Sequence, residues 1–159
     1  MPRRARGRDL AVALLLGLVA LVVYNANMRA IPAADTYGAR YLPFSILRDG
    51  SLLLDPILAT AAQGRRPPAV QGTSDTAFWI LKGNEGHFVS LYPVVVPLLI
   101  APLYLPAVAY LEDRGWDPLL FDRVAKVMEK LSASLIAALS VALLYLLLRR
   151  RRPPPPAPL

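Results

Sequence analysis

The sequence predicts an all-α membrane protein with two transmembrane helices, or three, and an external segment of amphipathic juxtamembrane helices. Of its 159 residues, 55% are hydrophobic and only 18% are charged, a balance outside the range of ordinary soluble domains. The net charge of +7 comes from the two tails, because residues 10–148 hold ten basic and ten acidic side chains. Basic tails beside apolar runs are typical of a membrane protein and give no reason to expect a nucleic acid partner.

Composition excludes several kinds of site. The chain has no cysteine, which excludes disulfides, thiolate zinc sites and cysteine nucleophiles. Its single histidine, His87, excludes a multi-histidine metal site. Phosphate-binding glycine loops and Ser-His-Asp arrangements are also missing from the sequence, so the common soluble enzyme classes are not indicated.

The first predicted transmembrane helix covers residues 10–31 and follows a basic cytoplasmic tail, residues 1–9. Its apolar core, LAVALLLGLVALVV, runs from Leu10 to Val23 and, with its flank, is long enough for one tilted span. A cleaved signal peptide is the alternative, because a basic start, an apolar core and a following small-residue stretch fit that pattern as well.

The last predicted transmembrane helix, residues 131–148, is the clearest apolar run in the chain. It ends on four arginines, which open a basic, proline-rich tail, residues 149–159. Small residues along this helix predict close approach of another helix. They are Ser132, Ala133, Ala137, Ala138 and Ala142.

The middle apolar run, residues 91–111, is long enough to span a bilayer but is rich in proline. Its prolines are Pro93, Pro97, Pro102 and Pro106. Each interior proline removes a backbone hydrogen bond, which is costly in lipid. Two spans place both basic tails in the cytoplasm, whereas three spans place residues 149–152 outside. We interpret the run as an interfacial or re-entrant element, with a transmembrane helix as the alternative, and residues 112–130 as a connecting segment.

The external segment, residues 32–90, is predicted to contain a juxtamembrane helix near its start. Apolar and aromatic residues recur there at helical spacing: Tyr37, Tyr41, Phe44 and Leu47. Asp35 is placed to cap the start of this helix and Gly50 to end it. Pro43 is expected to kink or break it. The pattern favours an amphipathic helix at the membrane surface.

Asp35 is the residue that we predict to carry chemistry. It emerges at the outer membrane surface at the head of a helix that also bears Arg40 and Arg48. A carboxylate there can act as a general base toward a hydroxyl, while guanidinium groups oppose the negative charge of a phosphate leaving group. The alternative is that Asp35 only caps its helix and that the two arginines contact lipid headgroups.

Several features follow one another along the chain. They are a first span, the aspartate-bearing helix of residues 35–48, DGSLLLD at Asp49–Asp55, GHFVSLYPVVVPLLIAPLY from Gly86 to Tyr104, and an arginine before a small-residue-rich span. Together they resemble the N-terminal part of a GT-C glycosyltransferase, in the branch of the dolichyl-phosphate-mannose and aminoarabinose transferases. The resemblance implies transfer of a sugar from a polyprenyl-phosphate carrier to an acceptor on the external face.

The resemblance implies that Asp35 is the catalytic carboxylate, acting as a base or through a divalent metal. Family members often carry a second acidic residue after the aspartate, where this chain has Thr36. The predicted substrate-binding residues are Arg40 and Arg48 of the juxtamembrane helix, His87 and Tyr92 of the proline-containing motif, and Arg123, placed to hold a lipid phosphate.

Such enzymes need many further spans, so we expect this chain to act as an N-terminal fragment or module that is inactive alone. Its expected partners are the lipid bilayer, the lipid-linked sugar and further transmembrane helices of a complete enzyme. Its expected location is the cytoplasmic (inner) membrane, as a multi-pass protein with a cytoplasmic N-terminus. The alternative is a small non-catalytic membrane protein that binds a partner or serves as a scaffold. In that case Asp35 is replaceable, whereas the small-residue face around Ala133, Ala137 and Ser140 is not.

Overall fold

A computed structural model describes residues 3–30, 36–64, 79–83 and 85–151. Their helices are α1 (Arg3–Asn25), α2 (Tyr37–Asp49), α3 (Asp55–Gly64), α4 (Val95–Glu112) and α5 (Pro118–Arg151), and their strands are β1 (Ile80–Lys82) and β2 (Phe88–Ser90). The predicted class is confirmed: the chain is a mostly helical membrane protein, and α1, α4 and α5 are long and apolar enough to span a bilayer. The described residues form two compact units, residues 3–29 with 133–151 and residues 30–132.

The first unit contains α1 and the C-terminal part of α5 in close contact. A Cβ atom built on Gly17 would lie 3.3 Å from the carbonyl oxygen of Ala138 and 3.4 Å from the Cβ atom of Ala142. Ala13 and Ala138 are buried, whereas leucine and valine side chains of both helices point outward. The prediction that the small residues of the last span admit another helix is confirmed.

The two helices of the first unit run antiparallel. Arg149 donates from Nη2 and from Nε to the Asp9 Oδ1 atom, over 2.9 and 3.1 Å. Asp9 lies near the start of α1, and Arg149 lies near the end of α5. The beginning of α1 and the end of α5 therefore lie at the same end of this helix pair.

The second unit has an aromatic core. Phe44 of α2 meets the ring of Tyr104 edge-on at 4.9 Å between centroids and the ring of Phe121 at 5.1 Å. Edge-to-face pairs of this kind contribute about 0.5–1.5 kcal/mol each beyond the burial of area. Burial on α2 is continuous from Arg40 to Ser45, so this helix is embedded more deeply than an amphipathic pattern predicts.

The boundaries of α2 agree in part with the sequence. Gly50 ends the helix as predicted, with φ at 61° and its N–H donating to the carbonyl oxygen of Ser45. Pro43 does not break the helix, which continues through it to Asp49. The predicted cap, Asp35, lies outside the described residues.

A small antiparallel hairpin, which the sequence did not reveal, adjoins the start of α3. In its register Ile80 pairs with Ser90 and Lys82 with Phe88. Leu54 donates its N–H to the carbonyl oxygen of Phe88 over 2.8 Å, and the N–H of Phe88 donates to the Asp55 carboxylate over 3.0 Å. Strands of three residues are too short to show an alternating pattern in a sequence.

The helices α4 and α5 overlap the predicted segments but have different bounds. The proline-rich run forms one continuous helix from Val95 to Glu112. The predicted connection, residues 112–130, is mostly helical because α5 already begins at Pro118. The Asp117 carboxylate accepts a hydrogen bond from the Leu120 N–H over 2.8 Å, so Asp117 caps this start and proline takes the first helical position.

Candidate functional site

A buried polar cluster lies where the start of α2 meets α5. Arg40 is only 1% exposed, and its Nε atom donates to the Glu129 Oε2 atom over 2.7 Å. The Nη2 atom of Arg40 lies 2.5 Å from the same oxygen. The hydroxyl of Thr36 donates to the other oxygen, Oε1. One carboxylate therefore fixes two positions at the start of α2.

Two aromatic rings complete the surroundings of the Arg40 guanidinium. Its Cζ atom lies 4.4 Å from the ring centroid of Tyr37 and 5.7 Å from that of Tyr41. Burial by itself lowers the pKa of Arg40, but the charge of Glu129 and the neighbouring Tyr41 outweigh it and raise this pKa above its ordinary value. Arg40 thus stays charged, and burial also raises the pKa of the Tyr41 phenol.

Several buried polar atoms in this cluster have no hydrogen-bond partner among the described residues. They are Nη1 and Nη2 of Arg40, of which Nη2 forms the ion pair with Glu129, and the hydroxyl oxygens of Tyr104 and Ser132. The buried side chains of Tyr104 and Ser132 lie close to each other on α4 and α5 of the same unit. Buried polar atoms without a partner are costly, so this cluster has unused hydrogen-bonding capacity.

His87 and Tyr92 occupy different surroundings. The Nδ1 atom of His87 lies 3.7 Å from the Asp55 Oδ2 atom, at the exposed end of the hairpin. Tyr92 is partly buried against the core, and a Cβ atom built on Gly38 would lie 3.7 Å from its ring. Of these two predicted substrate-binding residues, Tyr92 is therefore the one that lies beside the start of α2.

Arg48 and Arg123 are exposed. The Cζ atom of Arg48 lies 4.4 Å from the ring centroid of Trp116, and its Nε atom lies 3.8 Å from the Asp49 carboxylate. Arg40 and Arg48 are about 12 Å apart along the axis of α2, at 1.5 Å per residue. The two arginines that we expected to oppose one phosphate therefore lie at opposite ends of the helix.

Asp35, the predicted catalytic residue, lies outside the described residues and directly precedes Thr36 in the chain. Within residues 3–30, 36–64, 79–83 and 85–151, no three histidine or carboxylate side chains group as metal ligands. Glu129, which contacts Thr36, has both oxygens engaged by Thr36 and Arg40. This carboxylate is thus a poor ligand for a divalent metal.

Glu129 was not predicted from the sequence to belong to the site. Its signal is weak: Phe121, Ala125 and Met128 are buried at helical spacing, and Glu129 falls beside them, four residues after Ala125. A carboxylate next to a buried helix face needs a cation, which indicates a partner without saying where in the chain it lies.

The fold and this cluster define a helical membrane protein with a compact unit, residues 30–132, that contains a buried arginine paired with a partly buried glutamate. Comparison with protein families, characterised proteins and solved structures finds no match to this chain.

Proposed function

We propose that the unit of residues 30–132 is the juxtamembrane part of a membrane glycosyltransferase that takes a sugar from a polyprenyl-phosphate carrier. Asp35 is its catalytic carboxylate and receives the proton of the acceptor hydroxyl. The acceptor oxygen then bonds to the anomeric carbon, and the carrier phosphate leaves with the electrons of the broken bond. The chain contributes this module to an enzyme that includes further spans.

The observation that carries the proposal is the fixed start of α2. Thr36, the next residue after Asp35, is hydrogen-bonded to Glu129, and Arg40 one turn later is locked to the same carboxylate. A general base must be held close to its productive position, which is best done from a rigid element with buried support. The cluster supplies such support at Thr36, the residue that follows Asp35 in the chain.

We propose different roles for the arginines. The charge of Arg40 is balanced by Glu129, so we assign it the role of holding α2 rather than of binding phosphate. Arg48 and Arg123 are exposed and are available to the phosphates of a lipid carrier. We further propose the cytoplasmic (inner) membrane, with the basic N-terminus in the cytoplasm, because short basic segments are retained on that side.

Replacing Asp35 by asparagine tests the proposal. In membranes of cells whose own copy carries Asp35→Asn, we expect transfer from a radiolabelled polyprenyl-phosphate sugar to fall by about 100-fold or more, the contribution of a general base. The amount of chain in the membrane should not change. Asp113→Asn is the matched control, since the side chain of Asp113 is 82% exposed in the turn after α4. Unchanged transfer in the Asp35 variant would remove the assignment.

A second function has an observation of its own. Gly17 of α1 packs against Ala138 and Ala142 of α5, whereas Ala133 and Ser140 of α5 are exposed. A non-catalytic partner-binding or scaffold protein could use this remaining small-residue face to bind another helix. Under that function, Asp35→Asn leaves the cellular role of the protein intact.

A further inference from the structure

We propose that α4 does not cross the bilayer but lies in the membrane interface on the side opposite the basic ends of the chain, with its outward face in the acyl chains of that leaflet. This proposal is independent of the transferase activity. It depends on the helix pair of the first unit and on the two faces of α4.

The first step is the antiparallel pairing of α1 and α5. Asp9 and Arg149 are joined at one end of the pair, and Gly17 meets Ala138 and Ala142 further along it. If both helices span the bilayer, the chain leaves α1 on one side and enters the last apolar run of α5 from that same side. The segment between them must then cross the membrane an even number of times.

The second step is that one crossing by α4 is not compatible with this pairing. Within the described part of the segment, α4 is the only helix long and apolar enough to span. The helices α2 and α3 have 13 and 10 residues and are too short. A single crossing by α4 would make α1 and α5 parallel and would place Arg149 on the opposite side of the membrane from Asp9.

The third step concerns the outward face of α4. Its inward face is buried within the unit by Pro97, Ile100, Ala101, Tyr104, Ala107 and Leu111. The opposite face is exposed and apolar, with Leu99 75% exposed and no charged residue between Val95 and Leu111. An apolar face of this length is not stable in water and requires an apolar environment.

The residues at the C-terminal end of α4 identify that environment as lipid. The Cζ atom of Arg114 lies 3.9 Å from the ring centroid of the exposed Tyr110, while Arg48 lies over the buried ring of Trp116. Aromatic rings with basic side chains beside an apolar face are typical of the headgroup level, where the cations meet lipid phosphates. The basic side chains and the apolar face of α4 therefore match the headgroups and acyl chains of a lipid leaflet better than they match a second copy of the chain.

Single-cysteine labelling tests the topology, because the natural chain has no cysteine. The variants are Gly7→Cys, Lys82→Cys, Asp113→Cys and Arg150→Cys, each treated with a membrane-impermeant maleimide before and after permeabilisation. We expect positions 82 and 113 to react from one side and positions 7 and 150 from the other. If position 113 reacts from the same side as position 7, and position 82 from the same side as position 150, the chain has three spans and the proposal is overturned. Loss of residue 7 from the membrane-bound chain would also overturn it, since α1 would be absent.

Depth measurement tests the lipid contact. A fluorophore on Leu103→Cys, at the middle of α4, is compared with one on Leu15→Cys, near the middle of α1, in vesicles whose lipids are brominated at shallow or deep positions. We expect shallow bromine to quench position 103 most and deep bromine to quench position 15 most. Equal depth at both positions would mean that α4 spans. An unquenched position 103 would mean that protein covers this face, and either result contradicts the proposal.

Discussion

Replacing Glu129 by alanine is expected to lower the free energy of unfolding of the second unit by about 3 kcal/mol, since it leaves the charge of the buried Arg40 uncompensated. Arg40 would remain buried, and the variant would lack the Glu129 charge that opposes the lowering of its pKa by burial. The hydroxyl of Thr36 would lose its acceptor as well. Unfolding in detergent can be followed by the fluorescence of Trp79 and Trp116, which are both buried in this unit.

The same helix offers a matched control for Glu129. Asp122 forms an ion pair with Lys126 at 2.6 Å in which both side chains are partly exposed, whereas Glu129 is paired with the buried Arg40. Pairs of this kind usually contribute less than about 1 kcal/mol, so Asp122→Ala should cost much less than Glu129→Ala. Equal costs for the two variants would show that the Arg40–Glu129 pair is not the contact that holds α2 to α5.

Replacing Gly38 by valine is expected to lower the free energy of unfolding by about 2–3 kcal/mol, because the added side chain overpacks a contact that is already filled. A Cβ atom built at this position would lie 2.5 Å from the Ser90 Oγ atom and 3.7 Å from the ring of Tyr92. The Ser90 hydroxyl cannot move freely, because it accepts the N–H of Tyr92 over 3.2 Å. This loss of stability should appear as a lower midpoint of the unfolding transition of the detergent-solubilised protein.

The effect of Gly38→Ala on stability, compared with and without the Ser90 hydroxyl, separates this contact from the general effect of glycine on a helix. Gly38→Ala alone should destabilise, because the clash with Ser90 remains. In a Ser90→Ala background, the same substitution should stabilise by up to about 1 kcal/mol, since alanine is the better helix former. Destabilisation by Gly38→Ala in both backgrounds would show that Ser90 is not the obstacle.

The parts of the fold that the sequence predicted are those with local signals. The apolar runs of α1 and α5, the ending of α2 at Gly50 and the small residues that admit α1 are all contained in short stretches of chain. The early start of α5 was missed because residues 118–130 carry many charges and do not resemble a span. Its charged side chains are instead part of one helix, about 51 Å long at 1.5 Å per residue.

The candidate site was harder to predict because its main contact is not local. Arg40 and Glu129 lie far apart in the chain, and no periodic pattern relates them. An arginine beside a predicted catalytic aspartate suggested a phosphate contact, since its charge was not known to be balanced. The structure pairs that charge with Glu129 and leaves Arg48 exposed at the other end of α2. The role of Asp35 is still a prediction that the transfer assay tests.

The antiparallel pairing of α1 and α5 is the central claim, because the side of the membrane assigned to every other segment follows from it. Asp9→Cys with Arg149→Cys, and Asp9→Cys with Ala133→Cys, can be treated in membranes with a short reagent that bridges two thiols. We predict bridging between positions 9 and 149 and none between positions 9 and 133, which lie at opposite ends of the helix pair. Bridging between 9 and 133 without bridging between 9 and 149 would mean parallel helices and would contradict the account.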